Sequence, residues 1–204
     1  MNKFYYPRAK VFLIPVELYW RPNIYGVNMA DSVSVVGSTR AQYATSPTLV
    51  LKSNLGGQNY QIVEESANEW NKALGREAVR VERGSVSTNP RTSDGINSIT
   101  TGNIPGNALG VTYSHIQTTT RPQSGSNTVK EADIVIEPSD NEDVFKAVAL
   151  HEIGHALGAE HVRNEDAVMN ATLETGDTSN IPVKLTQADI NSVKTTGNYV
   201  NTLA

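Results

Sequence analysis

The spacing of apolar residues predicts a first helix over residues 60–74. Apolar side chains recur there at three- and four-residue steps, at Tyr60, Val63, Ala67, Trp70 and Leu74. Such a spacing places them on one face of a helix. Gly75 follows at the position where a left-handed residue commonly ends a helix. The continuous apolar face indicates that this helix packs against a sheet.

Short segments with alternating or continuous apolar residues predict strands. They lie at residues 10–20, 47–52, 78–81, 109–113 and 133–137. Pro15 places the first of them at a sheet edge, because proline has no N–H to donate. The Ser-, Thr-, Asn- and Gly-rich stretches at 84–107 and 117–128 are predicted to be loops. A strand, a helix and then several strands favour an α/β (α+β) fold with a layered sheet.

A second helix is predicted from about residue 141 to 157. Ser139 and Glu142 fit a capping box, in which each side chain binds a free backbone N–H of the first turn. Gly158 follows the last predicted helical residue. The helix is therefore expected to end in a left-handed turn there.

A last helix is predicted to begin after Thr186, which would act as its N-cap. Leu185 and Ile190 have the spacing of a hydrophobic staple, and Gly197 is the predicted end. Residues 162–184 show no periodicity, so an irregular connection is expected between the two helices.

Composition restricts the classes of partner. The 204 residues carry a net charge of -4 and no Lys/Arg cluster, so the chain lacks the electrostatic footprint of a nucleic-acid-binding protein. No apolar run approaches the roughly 18 residues that a membrane span requires. Because the chain has no cysteine, disulfides and thiolate ligands are excluded. Any metal must therefore be held by His, Asp or Glu.

The N-terminal region has no clear assignment. Basic residues precede an apolar run at 11–16, but Pro15 and Glu17 interrupt that run and no small-residue cleavage site follows. We therefore expect no signal peptide. With no internal repeat, the economical division is an extension of unknown role at 1–45 and one domain at 46–204.

Three of the four histidines lie within residues 151–161, in the string HEIGHALGAEH. His151 and His155 are four residues apart, so on a helix both rings project from one face and reach one metal ion. Glu152 is rotated by about 100° from His151, which keeps it near the metal as a proton acceptor for water. A left-handed turn at Gly158 brings His161 round as a third ligand. Three nitrogen ligands leave a fourth position open, as in catalytic zinc sites.

The histidines could also have purely structural roles. A helix whose histidines are satisfied by hydrogen bonds alone does not account for Gly158 and His161 at their spacing. His115 stands alone after a predicted strand, and we expect it to be a surface or packing histidine rather than a ligand.

The string resembles the motif of the metzincin zinc endopeptidases, HExxHxxGxxH followed by a methionine turn. Met169 lies eight residues after His161, which is similar to the matrixin branch. Weaker similarity extends over residues 47–197, at Trp70, DGINSI (94–99), LGVTY (109–113), EADIV (131–135) and LTQADI (185–190). Residues 1–45 match no pattern of the family.

The resemblance implies a zinc-dependent, matrixin-like endopeptidase acting on peptide or protein substrates. It implies a twisted, mostly parallel sheet with an active-site helix and a C-terminal helix. It assigns one catalytic Zn²⁺ to His151, His155 and His161, and the role of general base to Glu152. Site support is assigned to Gly158 and Met169, and the substrate edge strand to Leu109, Gly110 and Val111.

Several positions depart from the matrixin pattern. Val162 stands where matrixins usually carry Ser. With only His115 outside the zinc string, the His-rich structural zinc site of vertebrate matrixins cannot be formed, and further structural ions stay unassigned. Without cysteine, latency by a cysteine switch is excluded. Asp31 or Glu17 would be the groups to cover the zinc if the enzyme is held inactive.

The alternative to an enzyme is a structural subunit of a larger assembly, for example a virion component, that docks through residues 1–45. Secretion is implied by the family resemblance, whereas the missing signal peptide favours an intracellular or virion-associated location. The sequence leaves the localisation open.

Overall fold

The computed structural model describes residues 10–12, 41–43, 48–106, 108–119, 126–164, 166–174 and 181–196. In chain order, the strands are β1 Lys10–Phe12, β2 Ala41–Tyr43, β3 Leu49–Ser53, β4 Val79–Arg83, β5 Ser98–Thr101, β6 Gly110–Thr119, β7 Ser126–Ile136 and β8 Thr172–Glu174. The helices are α1 Gly57–Leu74, α2 Glu142–Ala156 and α3 Gln187–Thr196. None of the described helices has the length and apolar character needed to cross a bilayer.

The main sheet is mostly parallel. Strands β4, β3, β5 and β7 lie side by side in that order and are parallel, and β6 pairs antiparallel with β7. The helix α1 connects β3 to β4, because parallel neighbours need a crossover connection. The predicted α/β fold with a mostly parallel sheet, a helix that carries the first two histidines of the string and a C-terminal helix is confirmed.

One face of the sheet packs on α1 and α2. On β7, Ala132, Ile134 and Ile136 are buried in the same apolar core as Trp70 and Phe145 of the two helices. Because strand side chains alternate, Glu131, Asp133 and Val135 of β7 lie on the opposite face. That second face contacts the segment between β4 and β5, where the Glu131 carboxylate accepts hydrogen bonds from residues 93–95. The two faces thus hold separate groups of residues.

The helix boundaries agree with the sequence predictions except at two N-termini. The helix α1 ends at Leu74 as predicted, with Gly75 at φ +70°, but begins three residues before Tyr60. The capping box at Ser139 is wrong. Asn141 is the N-cap of α2 instead, and its side chain accepts hydrogen bonds from the N–H groups of residues 143 and 144. Because Asn141 is the N-cap, the first helical residue is 142.

The start of α3 follows the prediction closely. Thr186 precedes the first helical residue, and its Oγ1 accepts a hydrogen bond from the N–H of Asp189. In return, Asp189 Oδ2 accepts from the N–H and the hydroxyl of Thr186 at 2.7 and 2.8 Å. Leu185 and Ile190 both pack on the core. The predicted end at Gly197 lies outside the described residues.

The strands predicted near 47–52, 78–81 and 109–113 are confirmed, but other strand segments were missed. The predicted loop at 84–107 contains β5, whose sequence SITT is too polar to be recognised as a central strand. The loop predicted at 117–128 is shorter, because β6 extends to Thr119 and β7 begins at Ser126. The irregular connection at 162–184 contains β8. Of the strand predicted at 10–20, only 10–12 lies in the described part of the chain.

The described parts of residues 1–45 pair with the rest of the chain. β1 is antiparallel to β8, and β2 is parallel to the first residues of β7. The division into 1–45 and 46–204 stays a prediction.

Candidate metal centre

The second half of α2 carries most of the predicted site, and most of its residues are buried. His151 and Glu152 are fully buried, and Leu150 and Ile153 beside them belong to the apolar core. Gly154 allows α2 to lie this close to its neighbours. A Cβ at Gly154 would collide with the Met169 sulfur and lie 2.8 Å from Trp70 Cζ2.

The chain reverses direction directly after α2. Gly158 has a φ of +89°, in the left-handed region that glycine adopts without strain. The N–H of Ala159 donates to the carbonyl of Gly154 at 2.8 Å, which closes the turn. The N–H of Val162 then donates to Met169 O at 2.9 Å. This bond and the turn at Gly158 therefore hold the backbone on both sides of His161.

The three histidines of the string converge on one another. The Nε2 atoms of His151 and His155 are 2.9 Å apart, and His161 Nε2 lies 3.2 Å from His155 Nε2 and 3.3 Å from His151 Nε2. His151 Nδ1 donates to Val168 O at 2.7 Å, and His155 Nδ1 donates to Ala159 O at 2.9 Å. With the proton on Nδ1, the Nε2 lone pairs face the same point. Three facing lone pairs repel unless a cation lies between them, so the donor set fits a zinc ion with an open fourth position.

The environment keeps these imidazoles neutral. Burial lowers the pKa of His155 to about 3 and that of His161 to about 4. Burial, followed by the neighbouring imidazoles, lowers the pKa of His151 well below its ordinary value. Neutral imidazole is the form that binds a metal ion.

Glu152 lies beside the histidines and points toward the start of β6. Its Oε2 accepts a hydrogen bond from Thr112 Oγ1 at 2.6 Å, while Oε1 has no hydrogen-bond partner among the described residues. Gly110 leaves the room for this carboxylate, because a Cβ there would lie 2.6 Å from Oε1. Burial raises the pKa of Glu152 to about 8, against the lowering effect of the Thr112 hydrogen bond.

Met169 packs against α2 at Gly154, and its backbone N–H is bound by the buried carboxylate of Asp189. The Met169 side chain is fully buried. Its N–H donates to Asp189 Oδ1 at 2.7 Å, and the N–H of Val168 donates to Asp189 Oδ2 at 3.3 Å. Asp189 therefore ties the start of α3 to the segment that also holds His151 through Val168 O.

The structure brings most of the predicted site residues together. His151, Glu152, His155 and His161 form one cluster, with Gly158 and Met169 at its border. Of the predicted substrate strand, Gly110 touches Glu152, Val111 pairs with Val135 of β7, and Leu109 directly precedes β6.

Other residues fall elsewhere or were missed. His115 lies on the opposite face of the sheet, near Glu131 and Asp133. Glu17 and Asp31 lie outside the described residues. The roles of Thr112 and Asp189 were not predicted from the sequence, although Asp189 falls three residues after a predicted N-cap, where a reciprocal capping side chain is expected.

The chain was compared with known proteins. The family model Peptidase_M10 (Matrixin) matches residues 59–196. A search of curated proteins gave no match.

Solved structures show distant likeness in fold. Archaemetzincin from Methanopyrus kandleri has a TM-score of 0.42 and 14% identity, covering 79% of this chain and 98% of that chain. Myroilysin has a TM-score of 0.43 and 12% identity, covering 77% and 82%. High choriolytic enzyme 1, a hatching enzyme zinc-protease from the medaka fish Oryzias latipes, has a TM-score of 0.41 and 11% identity, covering 80% and 96%.

Proposed function

Because this chain belongs to the matrixin family of zinc-dependent metalloproteases, we propose that it is an endopeptidase that uses Glu152 as general base. The family match confirms the resemblance drawn from the sequence. We assign the zinc ligands as His151, His155 and His161. The observation that carries the proposal is the convergence of three neutral imidazoles, that of His151 fully buried, beside a carboxylate of which one oxygen has no hydrogen-bond partner among the described residues.

The proposed reaction needs one base and no covalent intermediate. A bound zinc ion supplies Lewis acidity toward the scissile carbonyl and toward water. Glu152 Oε1 is placed to accept a proton from the attacking water, and the same carboxyl then gives that proton to the leaving amine. Thr112 holds the other oxygen, so the carboxylate keeps one orientation through both transfers.

The substrate is proposed to bind as an added strand along β6. Among the described strands, β6 pairs only with β7, which leaves its other edge for an extended peptide. Leu109, Gly110 and Val111 begin this edge directly beside Glu152. A peptide paired along this edge would pass its backbone carbonyls beside the Glu152 carboxylate.

A peptide blocked at both ends tests the endopeptidase assignment. An acetylated, amidated peptide of mixed sequence should be cut at an internal bond, because the proposal involves no recognition of a free terminus. Mass spectrometry of the products identifies the bond. If only peptides with a free amine or carboxylate are trimmed, the enzyme is an exopeptidase and the assignment is wrong.

Thr112→Val is expected to lower kcat roughly tenfold with little change in KM. The substitution keeps the shape but removes one hydrogen bond to a charged group, and about 1.4 kcal/mol in the barrier is tenfold in rate. Thr112→Ser should restore most of the rate because it restores the hydroxyl. Steady-state kinetics with zinc content held equal checks this. An unchanged kcat in Thr112→Val would remove Thr112 from the mechanism.

Activity is expected to fall as the pH is lowered, before zinc is lost. The base must be ionised, and burial raises the pKa of Glu152, so protonation removes the base from the acid side. The lowered pKa values of His155 and His161 keep the ligands neutral to much lower pH. Rate and bound zinc are measured together from about pH 5 to 8. A constant rate over that range contradicts the role of Glu152, and joint loss of rate and zinc assigns the titration to the ligands.

Removal of residues 1–45 is expected either to raise turnover, if the extension covers the metal centre, or to disrupt assembly, if it docks a partner. β1 pairs with β8, which follows the Met169 segment, so this part of the extension lies against the connection after the metal centre. The rate on a short peptide and the oligomeric state are compared before and after removal. A loss of assembly without a gain in rate would favour a docking role, and no change in either would exclude both roles.

A further inference from the structure

Three side chains of types that can bind a metal ion lie close together on the face of the sheet opposite the helices. His115 of β6 is paired with Glu131 of β7, and Asp133 lies two residues further along the same side of β7. His115 Nε2 lies 3.7 Å from Glu131 Oε1 and 3.7 Å from Asp133 Oδ2. The cluster is separate from the residues assigned to catalysis.

Both carboxylates are buried. Glu131 is 1% exposed and Asp133 is 0% exposed. Glu131 accepts hydrogen bonds from the Ser93 hydroxyl and from the N–H groups of Asp94 and Gly95. Asp133 Oδ1 accepts from the Ser98 hydroxyl, whereas Oδ2 has no hydrogen-bond partner among the described residues. A buried carboxylate oxygen without a partner is costly, so the cluster needs a further positive group.

The charge of the cluster also indicates that a further positive group is needed. Burial, together with the neighbouring Glu131 carboxylate and against the lowering effect of the Ser98 hydrogen bond, raises the pKa of Asp133 to about 7. Either a proton or a metal cation therefore compensates the pair near neutral pH. His115, whose ring faces both oxygens, is a strong ligand for a metal ion.

We propose that His115, Glu131 and Asp133 form a second zinc site that fastens the segment around residues 90–95 to the sheet. Their three donor atoms lie within 4.8 Å of one another, which small side-chain rotations can close onto one ion. One imidazole nitrogen with two carboxylate oxygens suits zinc, whereas calcium prefers oxygen ligands alone. This goes beyond the proposed peptidase function and differs from the sequence-based expectation that His115 is a packing residue.

The segment around Pro90 contacts the cluster from two sides. His115 Nε2 contacts Pro90 O at 3.2 Å, and Glu131 holds residues 93–95, so both sides of this segment meet the cluster. Binding of zinc places the His115 proton on Nδ1 and replaces the Nε2 contact with Pro90. The carbonyl oxygen of Pro90, 3.2 Å from that nitrogen, is the group that would serve as a fourth ligand.

Zinc titration of the folded full-length His155→Ala chain is the direct test, because that variant lacks a catalytic ligand and is unaltered at the cluster. Calorimetry should show about one zinc bound per chain, with a rise in Tm on saturation. No binding would overturn the proposal and show that a proton, not a metal, compensates the carboxylates.

Variants at the cluster locate the bound ion. In the His155→Ala chain, adding His115→Gln should abolish zinc binding and the rise in Tm. Adding Ser114→Ala is the control, because Ser114 is the neighbouring residue on the other face of β6, and zinc binding should persist. Zinc retained with His115→Gln would place the ion elsewhere and overturn the assignment. In the otherwise unaltered chain, His115→Gln should lower bound zinc from about two to about one while the catalytic ion stays.

Discussion

Glu152→Gln is expected to lower kcat by roughly a hundred- to ten-thousand-fold, the usual contribution of a general acid-base group. The amide has the shape of the carboxylate and still accepts the hydrogen bond from Thr112, but it cannot take up a proton from water. Fold and bound zinc should be unchanged. Steady-state hydrolysis of a peptide, with zinc measured on the same sample, checks the prediction.

Glu160→Gln is the matched control for Glu152→Gln. Glu160 belongs to the same string and is exposed to solvent, so its loss should leave the rate within about twofold of the unaltered chain. Binding of a hydroxamate inhibitor to Glu152→Gln should survive better than turnover, because the metal is retained. If Glu152→Gln cleaves the peptide at the unaltered rate, Glu152 is not the base.

His155→Ala is expected to lose the catalytic zinc and, with it, measurable turnover. Among the three proposed ligands, His155 lies nearest to both others, with its Nε2 2.9 Å from that of His151 and 3.2 Å from that of His161. Two remaining imidazoles cannot complete a tetrahedral site. Metal analysis should show about one zinc fewer per chain than in the unaltered protein.

His115→Ala separates this loss from a general effect of removing a histidine. His115 lies on the opposite face of the sheet from α2, so its substitution should leave the catalytic zinc and most of the activity in place. Full zinc retention in His155→Ala would remove the proposed catalytic site. Equal loss of activity in His115→Ala would show that the two clusters are not independent.

The part of the site that could be predicted from the sequence is the part set by local geometry. His151, Glu152 and His155 lie within five residues on one helix, so helical spacing alone relates their positions. Gly158 predicts a reversal because few other residues adopt its φ. His161 then follows within three residues, before distant parts of the chain have to be known.

The contacts that escaped prediction depend on distant segments. Thr112 meets Glu152 across 40 residues, and Asp189 meets Met169 across 20 residues. Each pairing requires the register of β6 against β7 or the path of the connection after α2, which no local pattern encodes. The cluster of His115 with Glu131 and Asp133 was missed for the same reason.

The fold shows the same division between local and distant information. α1 and α2 were predicted because periodicity and caps are local signals, and α3 because its capping residues are adjacent. β5 was missed because its buried Ser98 is accommodated by Asp133 of a neighbouring strand, which lowers the hydrophobicity that a central strand normally shows.

The most direct test of the central claim is the release of internal fragments from a denatured protein substrate. The full-length chain is stripped of metal with a chelator, and cleavage is followed by mass spectrometry before and after zinc is added back, beside Glu152→Gln treated in the same way. We expect no fragments without zinc, internal cleavage when zinc is restored, and little cleavage by Glu152→Gln at equal zinc content. Internal cleavage that persists without metal, or that Glu152→Gln performs at the unaltered rate, would contradict the account.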